Sequence, residues 1–324
     1  MAKYIIKRIL WMIPVLLGVI LVIFTINYIS PGDPVVTQLG SNYTQEQYDA
    51  KAAEMGLDRP FIVQFVDYVV GIVTEFDFGT SYQTARPVSE MISERFMNTL
   101  LLGIYGTLLT IVIALPLGIL AGVYQYSALD YVVVIGSVIF ASIPSFWLAL
   151  MSIIVFSLNL GWFPASGLES WKSWILPVAC IGLGPVASVV RTMRSSMLEV
   201  IRQDYITTAK AKGLKKGRII THHAIKNAMI PVITVIGMQA GMIMGGSILI
   251  ETIFNIPGLG TLMNTAISGK DYPVIEGCVI VLSISVSIIN LIVDIAYAYI
   301  DPRIKSQYVG ESKRRKAKKQ QAKA

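Results

Sequence analysis

Charge is almost absent from six long stretches of this chain and crowded into the segments between them. The stretches run about Ile9 to Ile29, Thr99 to Val123, Val132 to Leu160, Trp174 to Val190, Ile230 to Phe254 and Gly277 to Ile300. A bilayer core of about 30 Å needs roughly 20 apolar residues in helical form, and these segments reach that length or approach it. Composition agrees: 54% of residues are hydrophobic and 15% charged, against roughly 25% charged in globular proteins. Soluble, disordered and disulfide-stapled classes are excluded, and an all-α polytopic membrane protein with six transmembrane helices is expected. The fourth stretch is short and interrupted by Pro177, Gly182, Gly184 and Pro185. Such breakers are tolerated where neighbouring helices satisfy the freed backbone groups, so this helix is expected inside the bundle.

Orientation follows from lysine and arginine near the span ends. Lys3, Lys7 and Arg8 precede the first span, and the loop after the fourth holds Arg191, Arg194, Arg202, Lys210, Lys212, Lys215, Lys216, Arg218 and Lys226. Both are expected in the cytoplasm, and an even number of spans brings the C-terminus there too, with its basic run Lys313 to Lys319. The apolar stretch after Arg8 is too long for a signal-peptide core, so it is expected to remain as an anchor. The chain then divides into a tail and first helix (1–29), an acidic extracellular loop (30–98), a five-helix core (99–300) containing the cytoplasmic loop 191–229, and a basic tail (301–324). Within the extracellular loop, Thr44 to Met55 and Pro60 to Val73 have helical patterning, which predicts a small folded cap.

Chemistry is sparse. His222 and His223 are adjacent, point about 100° apart on a helix, and lack any metal-binding spacing. Gly269-Lys270 is followed by Asp271 rather than Ser or Thr, so no phosphate loop exists and the chain is not expected to hydrolyse ATP. Cys180 and Cys278 lie in apolar runs and read as small buried hydrophobes. No catalytic or metal-binding residue is assigned. The net charge of +7 sits beside membrane spans, where it sets topology and meets lipid rather than nucleic acid.

The loop between spans four and five is too long for a turn. Asp204-Tyr205-Ile206-Thr207-Thr208-Ala209-Lys210-Ala211-Lys212-Gly213 reads as one short helix, with Asp204 as N-cap and Gly213 as the residue just past its end. A second helical stretch, Arg218 to Met229, returns to the membrane at Pro231. Here the sequence resembles the permease subunits of ABC importers, specifically the dipeptide/oligopeptide (and nickel) permease family. That branch is similar to D-Y-x-x-T-A-[KR]-A-K-G followed by H-A-x-[KR]-N-A-x-I-P. Asp204, Tyr205, Thr208, Ala209, Lys210, Ala211, Lys212 and Gly213 fit the first part, and His223, Ala224, Lys226, Asn227, Ala228, Ile230 and Pro231 the second. Of the wider E-A-A-x3-G pattern only Ala209 and Gly213 match strictly. Further resemblance lies in Asn27 to Pro34, Ser142 to Trp147 (a broken third span), Gly161 to Gly167, Glu251 to Gly260 and Tyr297 to Arg303. One departure is the short loop Gln125-Tyr126-Ser127, which lacks the basic residue usual in relatives.

The resemblance implies the type I ABC importer permease fold in a prokaryotic cell (inner) membrane, with both termini cytoplasmic. It implies that the 204–213 helix couples to ATPase subunits, with Ala209 and Ala211 packing into an ATPase groove. The implied partners are a second homologous permease, two ATPase subunits and an extracellular substrate-binding protein. No cofactor is implied on this chain, and ATP and Mg belong to the ATPases. Short peptides are the expected cargo, with nickel, metallophores or glutathione as alternatives and a stand-alone channel or receptor as the competing class. Gln239, Met242, Ser285 and Asn290 are candidates for the path, although small polar residues in spans also serve helix packing. Asp294 lies too deep in span six to reach water and needs a partner. Arg191 or Arg194, or an equivalent residue of the partner permease, is the expected one, as an inner gate, with a hydrogen-bonded structural role as the alternative.

Overall fold

The computed structural model describes residues 2–30, 33–40 and 42–300; the basic tail 301–324 lies outside the described residues. Helix α1 (Ala2–Ile29) runs alone along the edge of the bundle, with Ile20 its one buried side chain among those described. The cap follows, as α2 (Pro34–Leu39), α3 (Gln45–Glu54) and α4 (Phe61–Glu75). The first two start where the sequence provides a start signal. Asp33 accepts from Val35 N and Val36 N at 2.9 and 3.3 Å with Pro34 behind it, and Thr44 and Gln47 form a reciprocal capping box. Phe24 of α1 sits among Phe61, Phe65 and Tyr68 of α4 at ring separations of 5.5 to 5.7 Å, fixing the cap to the first helix.

The core comprises α5 (Val88–Val123), α6 (Ala128–Ser142), α7 (Ser145–Ser152) continued by a π-helical segment Ile153–Asn159, α8 (Ile175–Ile201) preceded by the 3-10 turn Trp171–Trp174, α9 (Asp204–Ala211), α10 (Lys216–Arg218) with a π-helical segment Ile219–Ala224, α11 (Ile225–Ile253), α12 (Leu259–Ser268) and α13 (Tyr272–Ile300). Among the described residues four helices are long and apolar enough to cross a membrane, and the two bent pairs raise this to six. The third predicted span is not straight: α6 and α7 meet at 91°. Pro144 causes this, because its ring forces Ile143 out of the helical region to ψ 123°. The fourth bends by 52° between Leu183 and Val186. At that bend Thr110 Oγ1 of α5 donates to the Gly182 carbonyl at 2.7 Å, the kind of side-chain rescue a broken span needs.

Helix α8 does lie inside the bundle, crossing α5 at very short range. A Cβ on Gly118 would come within 2.6 Å of Met193 Cβ, and one on Gly122 within 2.6 Å of Met197 Cβ. Small residues let two helices approach where lipid supplies no hydrophobic drive between them. Cys180 and Cys278 are both buried, as free thiols. Helix α11 leaves the basic loop, α13 begins near the cap at Asp271, and Asp294 near the end of α13 meets Arg8 of α1. The described ends of the chain therefore share the side of the basic loop, and the cap marks the opposite, outer side.

Candidate functional site

Helix α9 projects from the basic side and is built as a rigid unit. Its end is a Schellman motif: Gly213 adopts φ +76°, Gly213 N donates to Lys210 O at 2.9 Å, and Leu214 N to Ala209 O at 3.3 Å. Its start differs from expectation. Gln203 is the N-cap and Asp204 the first helical residue, so the carboxylate acts on the positive end of the helix rather than capping it. Ile206 and Ala209 face inward, 0% and 7% exposed, into a core shared with Met193, Met197, Ile219, Ala224 and Ala228. Burying Ile206 contributes about 1.5–3 kcal/mol to holding α9 in place. Ala209 is therefore taken up by its own chain. The face left open carries Asp204, Thr208, Lys210, Ala211 and Lys212. Tyr205 is partly open and accepts a hydrogen bond from Asn227 Nδ2 at 2.8 Å.

The loop Gln125-Tyr126-Ser127, which lacks a basic residue of its own, is held by cations from elsewhere. Arg202 donates to Gln125 Oε1 at 3.2 Å, and Lys216 Nζ sits 5.0 Å from the centre of the Tyr124 ring. Behind it, Arg194 makes two bonds to Asp130, at 2.6 and 2.7 Å, while Asp130 Oδ2 also accepts from Tyr126 N at 2.9 Å. Such forked pairing fixes geometry as well as charge. The α9 region, α8 and the α5–α6 corner are thus one connected structure.

Arg194 is consequently unavailable to Asp294, and Arg191 is exposed. The partner of Asp294 is Arg8, at 3.0 Å, so the expected pairing with span four is corrected to one with span one. Helical periodicity within the core hid this, because the antiparallel placing of α1 beside α13 is a tertiary fact. Among the path candidates, Met242 is exposed, in line with Thr234, Met238, Gly245 and Leu249 along one face of α11. Gln239 is half-buried beside that face. Ser285 is buried and donates to Val281 O at 2.7 Å, which is the helix-packing alternative. Asn290 is exposed one turn before Asp294, on the flank of α13 nearest α1.

Besides Asp130, three buried carboxylates escaped the sequence reading. Glu251, fully buried, accepts from Gly260 N at 2.7 Å and Thr261 N at 3.3 Å and so holds the start of α12. Asp271 accepts from Ser81 Oγ at 2.5 Å and Tyr82 N at 2.9 Å, seating the segment before α5. Glu276 accepts from Asn27 Nδ2 at 2.7 Å. Only Glu251 carried a signal, as an acid at the end of a span. His222 and His223 are exposed, and among the described residues no cluster of three metal-binding side chains occurs.

Comparison with known proteins places this geometry. The profile described as "Binding-protein-dependent transport system inner membrane component" matches residues 114–306, and its N-terminal companion matches residues 1–103. The oligopeptide transport system permease protein AppB of Bacillus subtilis is 40% identical over 315 residues, covering 94% of this chain and 99% of that protein. The glutathione transport system permease protein GsiC of Escherichia coli K12 is 38% identical over 305 residues, with the same coverage of 94% and 99%. The dipeptide transport system permease protein DppB of Alkalihalophilus pseudofirmus is 39% identical over 333 residues, covering 94% and 100%. Among solved structures, inward-facing MetNI methionine ABC transporter aligns with a TM-score of 0.57 at 20% identity, over 65% of this chain and 97% of that one. This last likeness concerns the fold.

Proposed function

The chain belongs to the family of binding-protein-dependent transport system inner membrane components, as a permease subunit of a peptide-family ABC importer, and within that family we propose that it imports short peptides. It is a multi-pass membrane protein and a transport subunit rather than an enzyme. In our reading it pairs with a second permease, couples through α9 to two ATPase subunits that hold ATP and Mg, and receives cargo from an extracellular binding protein.

The observation that carries the coupling role is the division of α9 into two faces. Ile206 and Ala209 lock it to the bundle, while Ala211 and the two lysines are offered outward. A lever must be rigid towards the part it moves and small or charged towards the part that drives it. The cross-links from Arg194, Arg202 and Lys216 then carry a push on α9 to α8, α5 and α6 together.

The cargo reading rests on the exposed face of α11, which is uncharged and includes Met238 and Met242, 62% and 69% exposed. Thioether side chains adapt to varied shapes, as a path for peptides of differing side chains requires. The test is reconstitution with the partner subunits and binding protein. Labelled peptide should accumulate in the vesicles on ATP addition. Uptake of Ni²⁺ or a metal chelate without peptide uptake overturns the cargo reading, glutathione uptake that short peptides fail to compete narrows it to that tripeptide, and recovery of the purified chain without ATPase subunits argues for a stand-alone channel.

A further inference from the structure

A cavity of about 850 Å³ opens on the outer side, between the upper turns of α1, the cap helices and the start of α13. Its size is that of small-molecule sites. Five carboxylates line it, Asp33, Glu54, Asp67, Asp77 and Glu276, against two cations, Lys51 and Arg59. Both cations are already engaged: Lys51 with Glu54 and Arg59 with Asp67, each at 2.8 Å. Among the described residues no ion pair involves Asp33, Asp77 or Glu276.

Glu276 sets the chemistry. It is 7% exposed, and the hydrogen bond it accepts at 2.7 Å comes from a neutral amide, Asn27. Beside it the buried Tyr68 hydroxyl adjoins the Glu276 carboxylate, and both residues line the cavity. Burial, and then the Glu276 charge, raise the pKa of the Tyr68 phenol, and the same two causes raise that of Tyr82, so both rings stay protonated and neutral. Buried charge is retained only where something compensates it. The rings of Tyr68, Tyr82 and Phe24 also line the cavity, and aromatic rings attract cations.

The shape of the donor set discriminates among cations. A guanidinium seeks both oxygens of a carboxylate in a fork, and Asn27 already takes one of the acceptor positions on Glu276 Oε1. An ammonium carries three donors that rotate freely, which suits one carboxylate oxygen, one phenol oxygen and the aromatic faces. We propose that this cavity binds the primary ammonium group of a small molecule arriving from the outer side. The amino terminus of a short peptide supplies such a group. The physiological ligand therefore rests on the peptide reading above, while ammonium binding itself does not.

The test uses the assembled transporter in nanodiscs without binding protein, titrated calorimetrically with trialanine, N-acetyl-trialanine and n-butylammonium. Trialanine and n-butylammonium should bind, and acetylation should weaken trialanine at least tenfold. Glu276→Gln, which keeps an acceptor for Asn27, should cost tenfold or more, and Tyr68→Phe a few-fold. Glu46→Gln, an exposed cap residue outside the cavity, should change nothing. Equal binding of free and acetylated peptide, no binding of either amine, or full affinity in both Glu276→Gln and Tyr68→Phe overturns the site. So does a Glu276→Gln defect confined to association with immobilised binding protein, which would make the occupant a protein side chain. Peptide uptake by the unaltered transporter, measured in parallel, reports on the cargo reading independently.

Discussion

Arg8 Nη2 lies 3.0 Å from Asp294 Oδ1, at the basic-side end of two antiparallel helices whose outer end is closed by Asn27 donating to Glu276. Asp294 and Glu276 are 18 residues apart on α13, or five full turns, so they share one face about 27 Å apart. Arg8 and Asn27 are 19 residues apart on α1, about 28.5 Å, which matches that distance in length. Two polar clasps therefore fix the register of a helix whose other surface is open to lipid. This explains how α1 stays attached with so little buried side chain.

The inner clasp should be modest in strength, because Arg8 precedes the first long apolar stretch, at the membrane surface, and is 49% exposed. Asp294→Asn is expected to cost about 0.5–1 kcal/mol, read as a small fall in the thermal midpoint of the purified protein. The charge-reversed double variant Arg8→Asp with Asp294→Arg should recover most of that loss. Additive damage from the two reversals would show that the clasp carries no energy.

The two faces of α9 predict opposite phenotypes for neighbouring alanines. Ala209→Asp places a charge in the chain's own core and should reduce the amount of folded protein, whereas Ala211→Asp should fold normally and lose ATP-driven uptake. Gly213→Ala strains a left-handed position at about 1–2 kcal/mol and should loosen the helix end without removing it. If Ala211→Asp transports normally, the exposed face is not where the ATPase engages.

Asp130 is 3% exposed and its forked partner Arg194 25%. Removing Arg194 alone leaves a buried carboxylate uncompensated, a loss of about 3–5 kcal/mol, so Arg194→Ala should be recovered in poor yield. Asp130→Asn with Arg194→Gln, which removes both charges, should restore folding. That double variant should nonetheless show weakened dependence of ATPase activity on cargo, since the α5–α6 corner is then joined to α8 less rigidly.

Much of the architecture was legible because it rests on local rules. Hydropathy marks the spans, Pro185 marks the bend in the fourth and Gly213 the end of α9, while the break at Pro144 was legible through the resemblance of Ser142 to Trp147. What escaped is what the chain does at a distance. Nothing near Asp294 in sequence points to Arg8, and nothing near Ala209 says whether it faces a partner or Met197 of its own chain. Glu276 sits at the mouth of a span, where acidic residues are common, and only the arrival of Asn27 and Tyr68 from other helices makes it a buried group.

The segment Glu251 to Gly260 yields the sharpest stability prediction. Glu251 holds the first backbone N–H groups of α12, and a Cβ at Gly260 would lie 2.5 Å from Ile248 Cα and 2.8 Å from the Glu251 carboxylate. A backbone atom cannot swing aside as a flexible side chain does, so Gly260→Ala must displace α12 itself. Thr99 Oγ1 accepts from Leu259 N at 2.8 Å, so that shift also opens the contact with α5. Glu251→Gln keeps an acceptor for Gly260 N but loses the charge at the helix start, at about 1.5–3 kcal/mol for a charged hydrogen bond. Thermal unfolding of the detergent-purified protein should therefore rank Gly260→Ala below Glu251→Gln, and both below the parent. A Gly260→Ala protein that melts with the parent would mean that α12 has room to move, and the close packing around Glu251 would not be what holds the outer end of the bundle.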